Sequence, residues 1–272
     1  MSQYTDKDKI REHYDVMTPY YHALWGEHIH HGYWIHGNET RQAAQLQLVD
    51  YLAQTAAIPS GGKILDIGCG MGASAIYLAQ RCQADVTGIT ISPVQVEMAN
   101  RAAALHKVTA KFLLMDAEAM SFTQCFDVLW SVESISHYQD VPHFFASAAK
   151  LLNPSGMIAV IDWFQREDLA PEEQAKFVAP IEKSMLVKLH TMEAYAGWMR
   201  ENSLQIQRSE ILNKQCARTW DISLEIIKDK KLWQLAAIHG PQFLTYLRGF
   251  RAMRAGFASG NFVYGLLVAQ KL

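Results

Sequence analysis

Apolar residues recur at helical spacing through the first part of the chain. Residues 41–57 place Ala44, Leu48, Tyr51 and Leu52 on one helical face, and the first 60 residues hold no convincing strand. Pro59-Ser60-Gly61-Gly62 ends this pattern. From there, short apolar runs alternate with helical ones. Residues 63–67, 85–90, 109–114, 126–131 and 157–162 predict buried strands, and 73–82, 93–106 and 141–152 predict helices. Pro93 suits a first helical turn, with Ser92 before it as N-cap. The rhythm is βαβ, which implies a mostly parallel sheet covered on both faces. After Asp162 the rhythm breaks. Residues 171–203 and 220–258 are amphipathic and helical, 205–212 alternates like a strand, and 262–270 is a last strand. The two helical insertions are too long for simple connections and predict a lid over the sheet.

The composition fits one large core: 50% of the 272 residues are hydrophobic and 19% are charged. A formal charge of −2 supplies no field for a phosphate backbone, so no nucleic-acid partner is expected. Cys69, Cys82, Cys125 and Cys216 show no CxxC pairing, and the start of the chain is polar, so a reduced, cytoplasmic protein is expected. No run is long enough to span a bilayer.

The informative segment is Ile64-Leu65-Asp66-Ile67-Gly68-Cys69-Gly70-Met71-Gly72. Glycines after a strand let the backbone turn sharply and let a ligand touch the main chain, and a helix follows at once, as in nucleotide-binding units. Asp66 would repel a pyrophosphate but would hold an ammonium group. The second strand ends in Thr90, where a dinucleotide enzyme would place an acidic residue for the ribose. Asp116-Ala117-Glu118 follows the third strand, where an adenine edge would be read.

On these residues the chain resembles the class I S-adenosylmethionine (SAM) methyltransferases. The resemblance implies an α/β, Rossmann-like, seven-stranded and mostly parallel sheet whose last strand is antiparallel. It covers nearly all of residues 10–271. The single domain, 1–272, divides into a helical arm (1–60), a SAM-binding core (61–165) and cap segments (166–204 and 219–258). It implies that Asp66 and Gly68 line the methionine part of SAM, that Gly70 supplies close backbone approach, that Asp116 and Ala117 read adenine, and that Ser131 lies near the sulfonium. The neutral sequence Gly88-Ile89-Thr90-Ile91-Ser92-Pro93-Val94-Gln95 departs from the usual acidic strand end. It resembles the branch holding tocopherol and cyclopropane-fatty-acid-type enzymes, where Thr90 and Gln95 would hold the ribose. The arm segment Trp25-Gly26-Glu27-His28-Ile29-His30-His31-Gly32-Tyr33-Trp34 points to the same branch. Tyr33 and Trp34 are expected against the cofactor.

Methyl transfer is an in-line displacement that needs alignment and exclusion of water; a base is required only where the acceptor loses a proton. His137, after the fourth strand, is the first candidate base, and Glu133 is a second catalytic candidate that would bind a cationic or hydroxylated acceptor. Trp25, His28, Asp162, Tyr195 and Tyr246 are the candidate acceptor contacts. His28, His30, His31 and His36 invite a metal reading, but only Glu27 offers ligand-like spacing, and no metal is expected. Arg248, Arg251 and Arg254 with Lys228, Lys230 and Lys231 form a basic set that leaves peripheral membrane contact open. The expected function is SAM-dependent methylation of a small apolar or aromatic acceptor at carbon or nitrogen by a monomer or homodimer, with S-adenosylhomocysteine (SAH) as product. The alternatives are O-methylation of a natural product and an NAD(P)-dependent oxidoreductase.

Overall fold

A computed structural model describes residues 6–229, 232, 233, 238 and 241–272. The arm begins with α1 (Asp6–Trp25), crosses an irregular segment and continues as α2 (Arg41–Thr55). The core then follows as β1 (Lys63–Ile67), α3 (Ala73–Cys82), β2 (Asp85–Thr90), α4 (Pro93–His106), β3 (Ala110–Leu114), β4 (Phe126–Val132), α5 (Val141–Lys150) and β5 (Leu152–Gln165). Thr40, Ser92 and Asp140 cap α2, α4 and α5 by accepting a backbone N–H three residues on.

The predicted helix over 171–203 is broken. It consists of α6 (Pro171–Glu173), a π-helical turn (Gln174–Val178), α7 (Ala179–Met185) and α8 (Met192–Glu201). Pro180 at the start of α7 and the left-handed Leu186 at its end account for the breaks. β6 (Leu204–Ile211), α9 (Asn213–Cys216), α10 (Arg218–Ile226), α11 (Pro241–Ser259) and β7 (Phe262–Lys271) complete the chain. Leu235, Lys230 and Lys231 lie outside the described residues.

The strands form one seven-stranded sheet in the order β3-β2-β1-β4-β5-β7-β6. β1 to β5 pair in parallel, and β7 runs antiparallel to both β5 and β6. Alternate side chains leave opposite faces. Thus Ile64 packs in a core with α2, α3 and α4, while Leu65 and Ile67 pack in a second core with Phe144, Phe145, Tyr195 and Met199. α7 and α10 each pack on α11, and the three form the cap. No described helix is long and apolar enough to cross a membrane. In the basic set, Arg254 pairs with Asp221 at 3.0 Å and Lys228 with Glu225 at 2.6 Å.

Candidate functional site

The carboxyl ends of β1, β2 and β4 open on a cavity closed by α1 from one side and by α10 and α11 from another. Its volume is about 200 Å³. The turn after β1 forms its floor. Gly68 has φ +78°, and a Cβ there would stand 2.0 Å from the Ser134 hydroxyl, so only glycine fits. Gly72, at φ +82°, lets α3 start against the sheet, because a Cβ would meet the Phe112 ring at 2.7 Å. Gly70 shares the left-handed conformation but faces open space and does not line the cavity.

Asp66 ends β1 and is buried. Burial pushes its carboxyl up to about 7, and its Oδ2 has no hydrogen-bond partner. An orphaned carboxylate oxygen in a cavity wall is costly and calls for a cationic ligand. The amino group of SAM fits that requirement.

Thr90 and Gln95 both line the cavity, already bonded to each other: Thr90 Oγ1 donates to Gln95 Oε1 at 2.6 Å. Gln95 Nε2 donates to Thr18 Oγ1 of α1 at 3.3 Å, so this pair also ties the arm to the sheet. Asp116 and Ala117 line the far end. Asp116 Oδ1 accepts from the Glu118 N–H at 2.9 Å, while Oδ2 pairs with Lys7 of α1 at 2.7 Å.

The segment after β4 carries the densest chemistry. Glu133 sits at φ +54°, a strained conformation for a residue other than glycine. Its Oε1 accepts three hydrogen bonds: from the His31 backbone N–H at 2.8 Å, from His31 Nδ1 at 2.8 Å and from the Tyr264 hydroxyl at 2.7 Å. Burial would raise this carboxyl, but the His31 contacts and the nearby His30 outweigh it and hold it below the ordinary range. His137 closes a short 3-10 turn, Ile135–His137. Its Nδ1 lies 3.0 Å from the Leu186 carbonyl, which only accepts, so Nδ1 carries the proton and Nε2 accepts from Tyr14 Oη at 3.0 Å. Burial pushes His137 down to about 4, which keeps the ring neutral at physiological pH. His13 is pushed down to about 4 by burial and by His137, and His28 to about 3 by burial and by His30.

Trp25, His28 and Tyr246 line the cavity, as do Asp66, Gly68, Glu133 and His137. The remaining expected contacts lie elsewhere. Tyr33 stacks on Tyr51 at 4.7 Å, and the indole of Trp34 bonds to the Glu39 carbonyl at 3.1 Å, so both brace the arm rather than face the cofactor side. Tyr195 is buried between Phe145 and Phe164 in the second core. Asp162 is fully buried. Its Oδ2 accepts from the Ser136 N–H at 2.8 Å and its Oδ1 from the Trp163 N–H at 2.8 Å, so it shapes the turn that carries His137. Ser131 is buried within β4 with its hydroxyl unpartnered, away from the cavity lining.

His13, Tyr14, Tyr21, His31 and Lys7 also line the cavity; the resemblance placed Tyr14, Tyr21 and His31 in the arm that covers the cofactor, and none of the five was named a candidate catalytic or binding residue. Their only signal is a cluster of aromatic and histidine residues on one arm. It becomes a site when α1 folds over the sheet.

The family model for mycolic acid cyclopropane synthetase matches residues 1–261. The 27-O-demethylrifamycin SV methyltransferase of Amycolatopsis mediterranei (strain S699) is 33% identical over 268 residues, 97% of each chain. A probable chloroplastic tocopherol O-methyltransferase of Oryza sativa subsp. japonica is 31% identical over 80% of this chain and 62% of that protein. Among solved structures, mycolic acid cyclopropane synthase CmaA1 complexed with SAH and CTAB superposes with a TM-score of 0.86 at 20% identity, over 96% of this chain and 97% of that one. These matches displace the NAD(P) alternative. The chain belongs to the mycolic acid cyclopropane synthetase family of class I SAM-dependent methyltransferases, and it is an enzyme that methylates small-molecule natural products with SAM as cofactor.

Proposed function

We propose that the methyl group goes to a hydroxyl oxygen on a bulky, largely apolar acceptor held between the arm and the cap. The observation that carries this reading is a wall of large apolar side chains, including Trp25, Trp220, Phe250 and Met253, interrupted by neutral imidazole. Such a wall desolvates an apolar molecule, and imidazole offers the proton acceptor that a hydroxyl requires. An amine acceptor would enter as a cation or as a free base. Glu133, the carboxylate at the end of β4, is already engaged by three donors and offers it little. The name of one relative, 27-O-demethylrifamycin SV methyltransferase, is in keeping with an oxygen acceptor.

In this reading SAM supplies an electrophilic methyl group. Asp66 holds its amino group, Gly68 admits its backbone, Thr90 and Gln95 face the ribose, and Asp116 with Ala117 faces the adenine. Trp25, His28 and Tyr246 contact the acceptor, and Glu133 and His137 are the polar groups nearest the reacting centre. The test is a panel of phenols, hydroquinones, macrocyclic alcohols and amines incubated with methyl-labelled SAM, with the methylated atom assigned by NMR. Methyl ethers are expected. Label on carbon or nitrogen with none on oxygen would refute the reading.

A further inference from the structure

Methylation of a hydroxyl needs a proton acceptor within reach of the acceptor oxygen. Five imidazoles line the cavity: His13, His28, His30, His31 and His137. Most of their nitrogens are occupied. His137 holds Leu186 with one nitrogen and Tyr14 with the other. His30 holds the His31 carbonyl at 2.8 Å and the His28 ring at 2.9 Å. His13 Nε2 faces Tyr21 Oη at 3.1 Å. Among the described residues, His31 Nε2 is the one imidazole nitrogen that is buried without a hydrogen-bond partner.

The His31 ring is fixed on every other side. It is 2% exposed and stacks on the Tyr264 ring at a centroid distance of 4.0 Å, with the edge of Trp220 at 4.8 Å. Nδ1 lies 2.8 Å from Glu133 Oε1, and the same oxygen accepts from Tyr264 Oη and the His31 N–H. An ionised carboxylate only accepts, so Nδ1 carries the proton and Nε2 of the neutral ring is a bare lone pair. A carboxylate held behind an imidazole fixes its tautomer and stabilises the imidazolium formed on proton uptake. The strained backbone of Glu133 turns its side chain to this position rather than toward solvent. The titratable groups around the ring are Glu133 from the end of β4, Tyr264 from β7 and His30 beside it.

We propose that His31 is the catalytic base of this enzyme and that Glu133 and Tyr264 are the residues that position it. The inference rests on the hydroxyl reading above. As the acceptor O–H bond breaks, its proton goes to His31 Nε2 and its electron pair stays on oxygen. That oxygen forms the bond to the methyl carbon, and the methyl–sulfur pair remains on sulfur as SAH. His31 leaves the step as an imidazolium against the Glu133 carboxylate and returns its proton to solvent. His137, with both nitrogens engaged, then serves to hold the arm through Tyr14.

The test uses the full-length enzyme and three variants, His31→Asn, His137→Asn and Glu133→Gln. SAH titration first shows that each still folds and binds cofactor. With a hydroxyl acceptor from the panel, His31→Asn is expected to lower kcat by roughly 10²- to 10⁴-fold with SAH affinity within about threefold of wild type. His137→Asn, which frees Tyr14 of the arm, is expected to weaken SAH binding together with kcat, a joint loss that His31→Asn should not show. Independently of activity, ¹⁵N NMR of histidine-labelled, ligand-free enzyme is expected to show His31 as a single Nδ1–H tautomer. Glu133→Gln should mix its tautomers and move the acidic limb of the kcat/KM profile, which a merely structural contact would not do. If His31→Asn keeps its activity toward a hydroxyl that the wild type methylates, or if the ring is protonated at Nε2 in the neutral state, the base assignment falls while the hydroxyl reading stands. If the wild type methylates only carbon or nitrogen, the hydroxyl reading falls and the base goes with it.

Discussion

At the scale of single residues, the proposed contact of Asp66 with the SAM amino group would couple cofactor binding to pH. Its carboxyl is pushed up to about 7 by burial alone, with no neighbouring charge to offset it. An arriving ammonium favours the ionised form, so binding below pH 7 must first release a proton. SAH affinity is therefore expected to fall as pH drops below 7, by up to about tenfold per unit. Asp66→Asn should flatten that dependence and weaken SAH binding at pH 8 by roughly 10- to 150-fold, the worth of a charge-assisted hydrogen bond of about 1.5–3 kcal/mol. Calorimetry from pH 5.5 to 8.5 on both proteins measures both effects, and a pH-independent wild type would remove Asp66 from the ammonium site. The positions of Asp66 at a strand end and Gly68 in the turn after it were legible because a strand end, a glycine turn and a helix start are local. Tyr33 and Trp34 misled because the segment between α1 and α2 is irregular. No periodicity there tells which side chains turn toward the sheet; Tyr33 stacks on Tyr51 of α2, and the Trp34 indole donates to the Glu39 carbonyl.

At the scale of elements, α1 is one wall of the cavity. It is held by a series of side-chain contacts: Lys7 to Asp116 and Glu118, Tyr14 to His137, Asp15 to Ser92, Thr18 to Gln95, and Tyr21 to Tyr246. These six contacts, made by five residues of α1, reach the segments after β2, β3 and β4 and the cap, so the helix lies across the cavity rather than beside it. The Lys7 ion pairs are partly exposed, with 36% of the Lys7 side chain open to solvent, and such pairs contribute only about 0.2–1 kcal/mol. Lys7→Ala should thus speed hydrogen exchange in the first turns of α1 and raise the SAH dissociation rate by up to about fivefold. Screening should erase most of that difference at 0.5 M salt, roughly five times the ionic strength where the Debye length is about 10 Å. Unchanged exchange would mean that the buried contacts of Tyr14, Thr18 and Tyr21 hold the helix by themselves.

At the scale of the whole molecule, two sets of buried groups oppose each other in acid. His13, His28 and His137 are held well below the ordinary 6.5 by burial. Between pH 6.5 and about 4 the unfolded chain takes up protons at these positions and the folded chain does not, so stability falls as pH drops. Asp66 and Asp162 are pushed up to about 7 by burial. From pH 7 to about 4 they bind protons in the folded state only, so their contribution to stability rises as pH drops. The double variant Asp66→Asn, Asp162→Asn removes the second set. Its urea midpoint is expected to fall further between pH 7.5 and pH 5 than that of the wild type, and an equal fall would show that the carboxyls titrate normally.

The sequence by itself determined the βαβ core, the glycine turn and the place of Asp66, because hydrophobic period and turn chemistry are local properties of the chain. It also fixed the strand that becomes β7, though not its pairing. The tertiary structure decided which polar groups meet. His31 comes from the arm, Glu133 from the end of β4 and Tyr264 from β7, where antiparallel pairing sets Tyr264 opposite Trp163. These residues are separated by 102 and 131 positions along the chain. No spacing rule links them, because what joins them is the closing of α1 over the sheet and the burial that removes water as a competing partner. The same burial sends Tyr195 and Asp162 into the core and leaves His31 Nε2 without a protein partner.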